Sequence, residues 1–502
     1  MRRILSGLGL MLVIVCCASA ALSATTAKET AFEAVERNKG EIAKVGDAIY
    51  SFAELGMQEI ETSKLCADLL KSIGYDVKTG IAGFPTAIMA TYGSGKPVLA
   101  VHIEYDAVPS GSQQTGALER KEIVPGAPGH AEGHNTNAAA WMGAAFAVKE
   151  AIDKHKLRGT VKFFTAPAEE QLVSRPFFVR DGYFKDVDAA FHVHVGETLS
   201  TSYGIRQYAL VSVEYEFFGK TAHSGTSPWT GASAVDAAKL MDIGWDVLRE
   251  HLPPTQRSHS VIVNGGVQPN VVPDRAKIWF FFREATYEGA NNLFTKADKV
   301  AEGAALMTGT TWKRNVLSAC WPTRDNKIMG ELVQSNIELV GMPVWSEDEQ
   351  KLAKAIQKVA GGEQKGLAMK ISPLKEAKQG TSSNDSGDIT WTVPHGRITI
   401  PSNVGNVPGH HWAATIAVAT SIAHKGEVAG AKVLAGSMVD LLTNPDLLAK
   451  AKETFKKEVG GATYKPLLPP DQKPPLSLNT EEMAKYRDLM KPHYRRAPIQ
   501  FK

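Results

Sequence analysis

Residues 159–170 read GTVKFFTAPAEE. An apolar run with β-branched and aromatic residues ends, after Ala-Pro-Ala, in two adjacent acids. A chain that does this has just left a buried strand and presents Glu169 and Glu170 at its carboxyl end. Histidine-rich segments surround the pair in the sequence: GHAEGHN at 129–135, FHVHVGE at 191–197 and PGHHW at 408–412. Adjacent carboxylates at a strand end can divide the labour. One binds a metal, and the other handles the proton of a metal-bound water.

Working outward, PVLAVHIEYDAVP (97–109) reads as a strand followed by a loop, NAAAWMGAAFAVKEAIDKHK (137–156) as an Ala-rich helix, and VDAAFHVHVGE (187–197) as a further strand. Residues 27–75 carry apolar positions at helical spacing, with Gly74 closing the second helix. Strands alternating with helices predict an α/β fold with a largely parallel sheet. In such sheets the ligand site lies at the carboxyl ends of the strands, where Asp106, Glu169, Glu170 and His194 all fall. From about Leu210 the pattern changes to alternating strands and two helices, in the order strand-helix-strand-strand-helix-strand. This predicts an inserted α/β sandwich. The expected organisation is a signal peptide at 1–24, a catalytic domain at 25–207 and 322–455, the insertion at 208–321, and a Pro-rich arm at 456–502, extended over the surface.

The chain has 502 residues, too many for one hydrophobic core. A formal net charge of +3, from 56 basic and 53 acidic residues with no basic run, predicts no nucleic-acid partner. Arg2 and Arg3, the apolar run 4–15 and Ala18-Ser19-Ala20 have the form of a cleaved export signal. The run is shorter than the ~20 residues a membrane span needs. The expected location is therefore periplasmic or secreted, with no span after cleavage; a single membrane anchor is the alternative, and lipidation at Cys16 or Cys17 a minor one. Beyond the signal only Cys66 and Cys320 remain, so no disulfide framework is expected and any metal site must use His and carboxylates.

Catalytic metals need imidazoles and carboxylates around an open position. Glu132 and His134 flank Gly133, in a loop tight enough for both to reach one site; the alternative is a polar loop capping the Ala-rich helix, with Asn135 or Thr136 as N-cap. His192 and His194 share a strand face, and His194, nearer the carboxyl end, is the better ligand. Of His410 and His411 only one is needed. His102, Glu104 and Asp106 lie along one strand face, and Asp106 is placed to orient a ligand imidazole from behind.

The motifs IEYDAVP, GHAEGHN, APAEE, FHVHV, GKTAHSGTSPWTGASAVDA, NGGVQPNVVPD and PGHHWAAT, in this order, resemble those of the di-metal aminoacylase/carboxypeptidase-G-like amidohydrolases. The branch they most resemble is that of the B-type chain of p-aminobenzoyl-glutamate hydrolase, over residues 31–448. The resemblance implies a catalytic domain holding two divalent metal ions, zinc or manganese, and an inserted dimerisation domain that makes a homodimer. It implies Glu169 as general base, Glu170, His134, His194 and His410 as metal ligands, His223 as an oxyanion-stabilising residue reaching the partner's site, and Asn270 as a substrate-binding residue. The implied reaction is hydrolysis of the amide bond of an N-acyl amino acid or dipeptide-like substrate by a metal-activated water.

One position departs from the family pattern. Where relatives carry a metal-binding Cys in a CGH motif, this chain has Glu132, a harder ligand. The expectation is that Glu132 still binds metal, with a weakened second metal as the alternative. Arg175 and Arg206 are candidates to pair with a substrate carboxylate, and Trp229 and Trp412 to face an aromatic acyl group; a structural role is the alternative for each. The competing functional class is a non-catalytic binding protein, or the partner of a catalytic homologue.

Overall fold

A computed structural model describes residues 26–502 of the chain. The expected export signal lies outside the described residues. The strands, in chain order, are β1 (Asp76–Thr79), β2 (Ile88–Ser94), β3 (Val98–Ile103), β4 (Gly159–Thr165), β5 (Ala189–Gly196), β6 (Ser202–Ile205), β7 (Ala209–Phe218), β8 (Arg257–Asn264), β9 (Arg275–Glu284), β10 (Thr311–Cys320), β11 (Arg324–Asp325), β12 (Lys375–Glu376) and β13 (His395–Pro401).

The first sheet runs β1-β2-β4-β3-β5-β13. Its β4-β3-β5-β13 portion is parallel, and β2 and β1 add an antiparallel edge. Every residue of β3 is buried, as expected of a strand covered on both faces. The helix His134–His155 lies against the helices Lys39–Phe52 and Ser421–Thr443. Small residues allow close approach: a Cβ on Gly143 would sit 2.6 Å from Cδ1 of Ile42 on the neighbouring helix, and one on Gly430 would sit 2.3 Å from Cγ2 of Ile400 on β13 beneath. Large side chains such as Trp141 and Phe163 fill what remains, each contributing roughly 1.5–3 kcal/mol through burial.

The second sheet, β10-β7-β9-β8, is antiparallel. In β9 Ala276, Ile278, Phe280 and Phe282 point inward while their neighbours are partly exposed, the period-2 pattern of a one-sided sheet. Its buried face packs against the helices Ala234–Arg249 and Tyr287–Thr308, whose first turns are capped by the side chains of Ser233 and Thr286. The order strand-helix-strand-strand-helix-strand is the one read from the sequence. A short sheet, β11-β6-β12, joins the two regions.

The carboxy-terminal segment differs from the extended arm expected of it. It contains a helix, Thr480–Met490, whose Met483 and Met490 pack with Leu55, Ala107, Val124 and Ala127. Its Arg487 donates to Glu54 at 2.6 Å. The Pro-rich run before it masked a short helical pattern. Among the described residues no helix is long and apolar enough to cross a membrane.

Candidate metal centre and active site

The carboxyl ends of β3, β4 and β5 bring Asp106, Glu169, Glu170 and His194 to one edge, where Glu132, His134 and His410 join them. After β4 the chain turns sharply through Ala168 (φ 58°) and Leu172 (φ 59°), both left-handed and neither a glycine. Such backbone persists where the surroundings enforce it. Here the Ala168 amide donates to Oε1 of Glu59 at 2.9 Å, which fixes the turn carrying Glu169 and Glu170. Gly133, at φ 114°, places Glu132 and His134 on one side of the next loop. The helix begins at His134 without a side-chain cap, so Asn135 and Thr136 are not N-caps.

Glu132 is the hub of the cluster. Its Oε1 lies 3.3 Å from Nε2 of His194, and its Oε2 lies 3.2 Å from Nε2 of His410. Glu170 reaches the same His410 nitrogen at 3.2 Å. His134 Nε2 stands 3.9 Å from Glu132 and 3.8 Å from Glu169. His134 Nε2 and Glu170 Oε1 are buried and have no hydrogen-bond partner. Convergent donor atoms left without partners fit a metal site, and this set of imidazoles and carboxylates suits zinc or manganese. The carboxylates, Glu132 first and Glu170 next, hold the His410 imidazole up to about 10, the mark of a field that attracts cations.

The supporting residues orient these ligands. His134 Nδ1 faces Oδ1 of Asp106 at 3.3 Å and its carbonyl at 3.2 Å, and Asp106 Oδ2 accepts from the Glu170 amide at 3.0 Å. His194 Nδ1 faces the Val195 carbonyl at 2.8 Å. Both rings therefore turn Nε2 toward the cluster. His411 is excluded as a ligand because its Nδ1 accepts the Ala413 amide at 3.2 Å, capping a short helix. Glu169 is held differently: Asn384 donates to its Oε1 at 2.5 Å. Burial, and then the charge of Glu104, push its pKa well above the usual carboxylate range.

Arg175 corrects an expectation. It is fully buried, ion-paired to both Glu104 and Asp385, and donates from Nε to His102 Nδ1 at 3.0 Å. Its guanidinium is taken up by these buried partners. Arginine's fork lets one side chain bind three partners, so the residue ties the site together from behind. His192 serves this same network, sharing Glu104 at 2.9 Å. His223 and Asn270 lie on the second-sheet side, where the Ser224 amide donates to the Asn270 carbonyl at 3.1 Å. Within one chain, neither forms a hydrogen bond or ion pair with the cluster among the described residues. Trp229 is exposed, and Trp412 lies beside His411 with the Arg120 guanidinium 5.7 Å from its ring centre.

Sequence reasoning missed Glu104 and Asn384. Glu104 stood in the strand face already noted, but Asp106 was preferred for its place at the end. Asn384 sits in a Ser-rich loop with no local signal, and only tertiary folding brings it to Glu169.

A sheet-end cluster of imidazoles and carboxylates beside one buried glutamate fits a metal-dependent hydrolase. Residues 100–470 match Peptidase family M20/M25/M40, and the chain belongs to that family. It is 31% identical over 459 residues to the B-type chain of p-aminobenzoyl-glutamate hydrolase from Escherichia coli, covering 86% of this chain and 95% of that protein. It is 28% identical over 386 residues to Xaa-Arg dipeptidase of Mus musculus, covering 74% and 78% of the two chains. Among solved structures, the aminobenzoyl-glutamate utilization protein of Klebsiella pneumoniae superposes with a TM-score of 0.57 at 17% identity, covering 82% of this chain and 97% of that one. A dinuclear metal-binding M20 peptidase of Bacillus subtilis does so at 0.53 and 18%, covering 81% and 99%. These two likenesses establish the shared fold.

Proposed function

We propose that the chain is an exported dinuclear amidohydrolase that cleaves the amide bond of an N-acyl or N-aroyl amino acid such as p-aminobenzoyl-glutamate. The observation that carries this reading is the separation of roles between neighbours. Glu170 faces the imidazole cluster, while Glu169 is turned to Asn384 and held in a buried setting that raises its affinity for a proton. Glu132, His134, Glu170, His194 and His410 would hold the metal pair, which when bound polarises the amide carbonyl and acidifies the attacking water. Glu169 takes the proton from that water and returns it to the leaving amine.

The same reading makes the enzyme a homodimer in which His223 serves the partner's site. Strand β8 supports it: β8 ends the second sheet, with Val261, Ile262 and Val263 exposed by 54%, 38% and 46%. An uncovered apolar edge strand is a ready pairing surface. Export rests on the leader-like sequence at 1–24.

The test is hydrolysis of a panel of N-acyl and N-aroyl amino acids by protein stripped with chelator and reloaded with zinc or manganese. Activity that appears only on reloading supports the reading. A metal-loaded protein that cleaves none of the panel ends it.

A further inference from the structure

Side chains of His395, Arg397 and Thr399 alternate onto one face of β13. Arg397 is in register with His192 and Thr399 with His194, so Arg397 stands on the sheet face that carries the metal-ligand candidate His194. Its positive charge bears on His194, and the carboxylates of Asp325, Glu104, Glu132 and Glu169 bear on it. Yet the Arg397 guanidinium has no hydrogen bond or ion pair among the described residues. Arg206 lies nearby. It donates from Nη2 to Gln207 at 2.6 Å, while its Nε is buried without a hydrogen bond and stands 3.8 Å from Asp325. Asp325 is already engaged by His395 Nδ1 at 2.6 Å.

The two guanidiniums press on each other. Burial first, and then the charge of Arg397, bring Arg206 down to about 9. Both remain partly open to solvent. Arg283, at the end of β9, likewise has a buried Nε without a hydrogen bond, and the Glu169 charge reaches it. Arg397, a partly desolvated cation with no carboxylate in contact, is unfavourable until an anion arrives, and Arg206 shares its one carboxylate, Asp325, with His395. A guanidinium fork matches a carboxylate in two-point geometry.

We propose that Arg397, with Arg206, is the specificity-determining pair that takes the two carboxylates of a dicarboxylic amino acid at the leaving-amine end of the substrate. This rests on the amide-hydrolase reading above and narrows it. A neutral residue there answers one cation only. A basic residue, of the kind named for the mouse relative, would add a third cation beside two guanidiniums whose one contacting carboxylate, Asp325, is shared with His395.

The experiment compares kcat/KM for p-aminobenzoyl-glutamate, p-aminobenzoyl-glutamine and p-aminobenzoyl-arginine in the parent and in Arg397→Gln and Arg206→Gln. The parent should rank the glutamate compound first and the arginine compound last. Each variant should reduce the glutamate-to-glutamine ratio about tenfold to a hundredfold, the effect of one lost charge-assisted pair. Equal losses on all three compounds would mean that the arginines are structural, and preference for the arginine compound would reverse the assignment. A second readout is the thermal shift of the metal-loaded protein with free glutamate, glutamine or arginine. Glutamate should stabilise the parent most, and Arg397→Gln should remove that advantage. No advantage for glutamate in the parent overturns the proposal. If no amide is cleaved while glutamate still binds selectively, the hydrolase reading fails and the arginine pair stands.

Discussion

Asn384 donates to Oε1 of Glu169 at 2.5 Å, across 215 positions of sequence. The contact fixes one carboxylate oxygen and leaves Oε2 turned toward His134 at 3.8 Å. Replacing Glu169 by Gln should lower kcat by about a hundred- to ten-thousandfold, the usual weight of a general base, with metal per chain unchanged. Asn384→Ala should cost about tenfold in kcat through loss of one hydrogen bond to a charged group. A fully active Glu169→Gln enzyme would remove Glu169 from the chemistry.

Glu132 touches both His194 and His410. Glu132→Ala should therefore lower the metal bound per chain, measured by elemental analysis after equilibration with buffered metal. Asp106→Asn should retain the ligands but loosen their orientation, weakening metal affinity about 10- to 100-fold in a chelator competition. Unchanged stoichiometry in Glu132→Ala would show that this carboxylate is no ligand.

Arg175 joins Glu104, Asp385 and His102 with no exposure to solvent. Arg175→Met leaves two buried carboxylates without their cation, and the cost should be about 3–5 kcal/mol of stability. Urea midpoints at fixed pH will show it. A variant as stable as the parent, with weakened substrate binding, would restore Arg175 to the substrate side.

Asp388 accepts Tyr464 Oη at 2.6 Å and the Trp321 amide at 3.0 Å, in a buried setting away from the metal ligands. Burial raises its pKa to about 7. The folded chain thus keeps a proton that the unfolded chain has released. The stability from this group is fully present below the ordinary carboxylate value and is lost as pH rises toward about 7. The parent's stability relative to Asp388→Asn should shrink between pH 5 and pH 8 by on the order of a few kcal/mol. A constant difference across that range would contradict the shift.

Strands β3 and β5 were legible because strands buried on both faces leave long apolar runs, β4 from its apolar end, and the ionisable residues that follow them mark the site edge. The second sheet was legible from its alternation, as in β9. The helix Thr480–Met490 was not, because a short amphipathic pattern behind a Pro-rich run has meaning only against the apolar surface it covers. Arg175 was misread for a related reason. An arginine near a catalytic motif looks the same in sequence whether it faces a ligand or three buried partners.

The sequence alone determined the α/β order, the strand ends and the residue types able to bind metal, since these follow from local periodicity and from chemistry carried by single residues. The tertiary structure alone decided that His192 is tied to Glu104 behind the cluster, that His411 caps a short helix, that Arg175 is internal, that Asn384 holds Glu169, and that Arg397 stands with no carboxylate in contact. The contacts of Arg175 and Asn384 join segments about two hundred residues apart, and the register of β13 on β5 places Arg397, where no local pattern can.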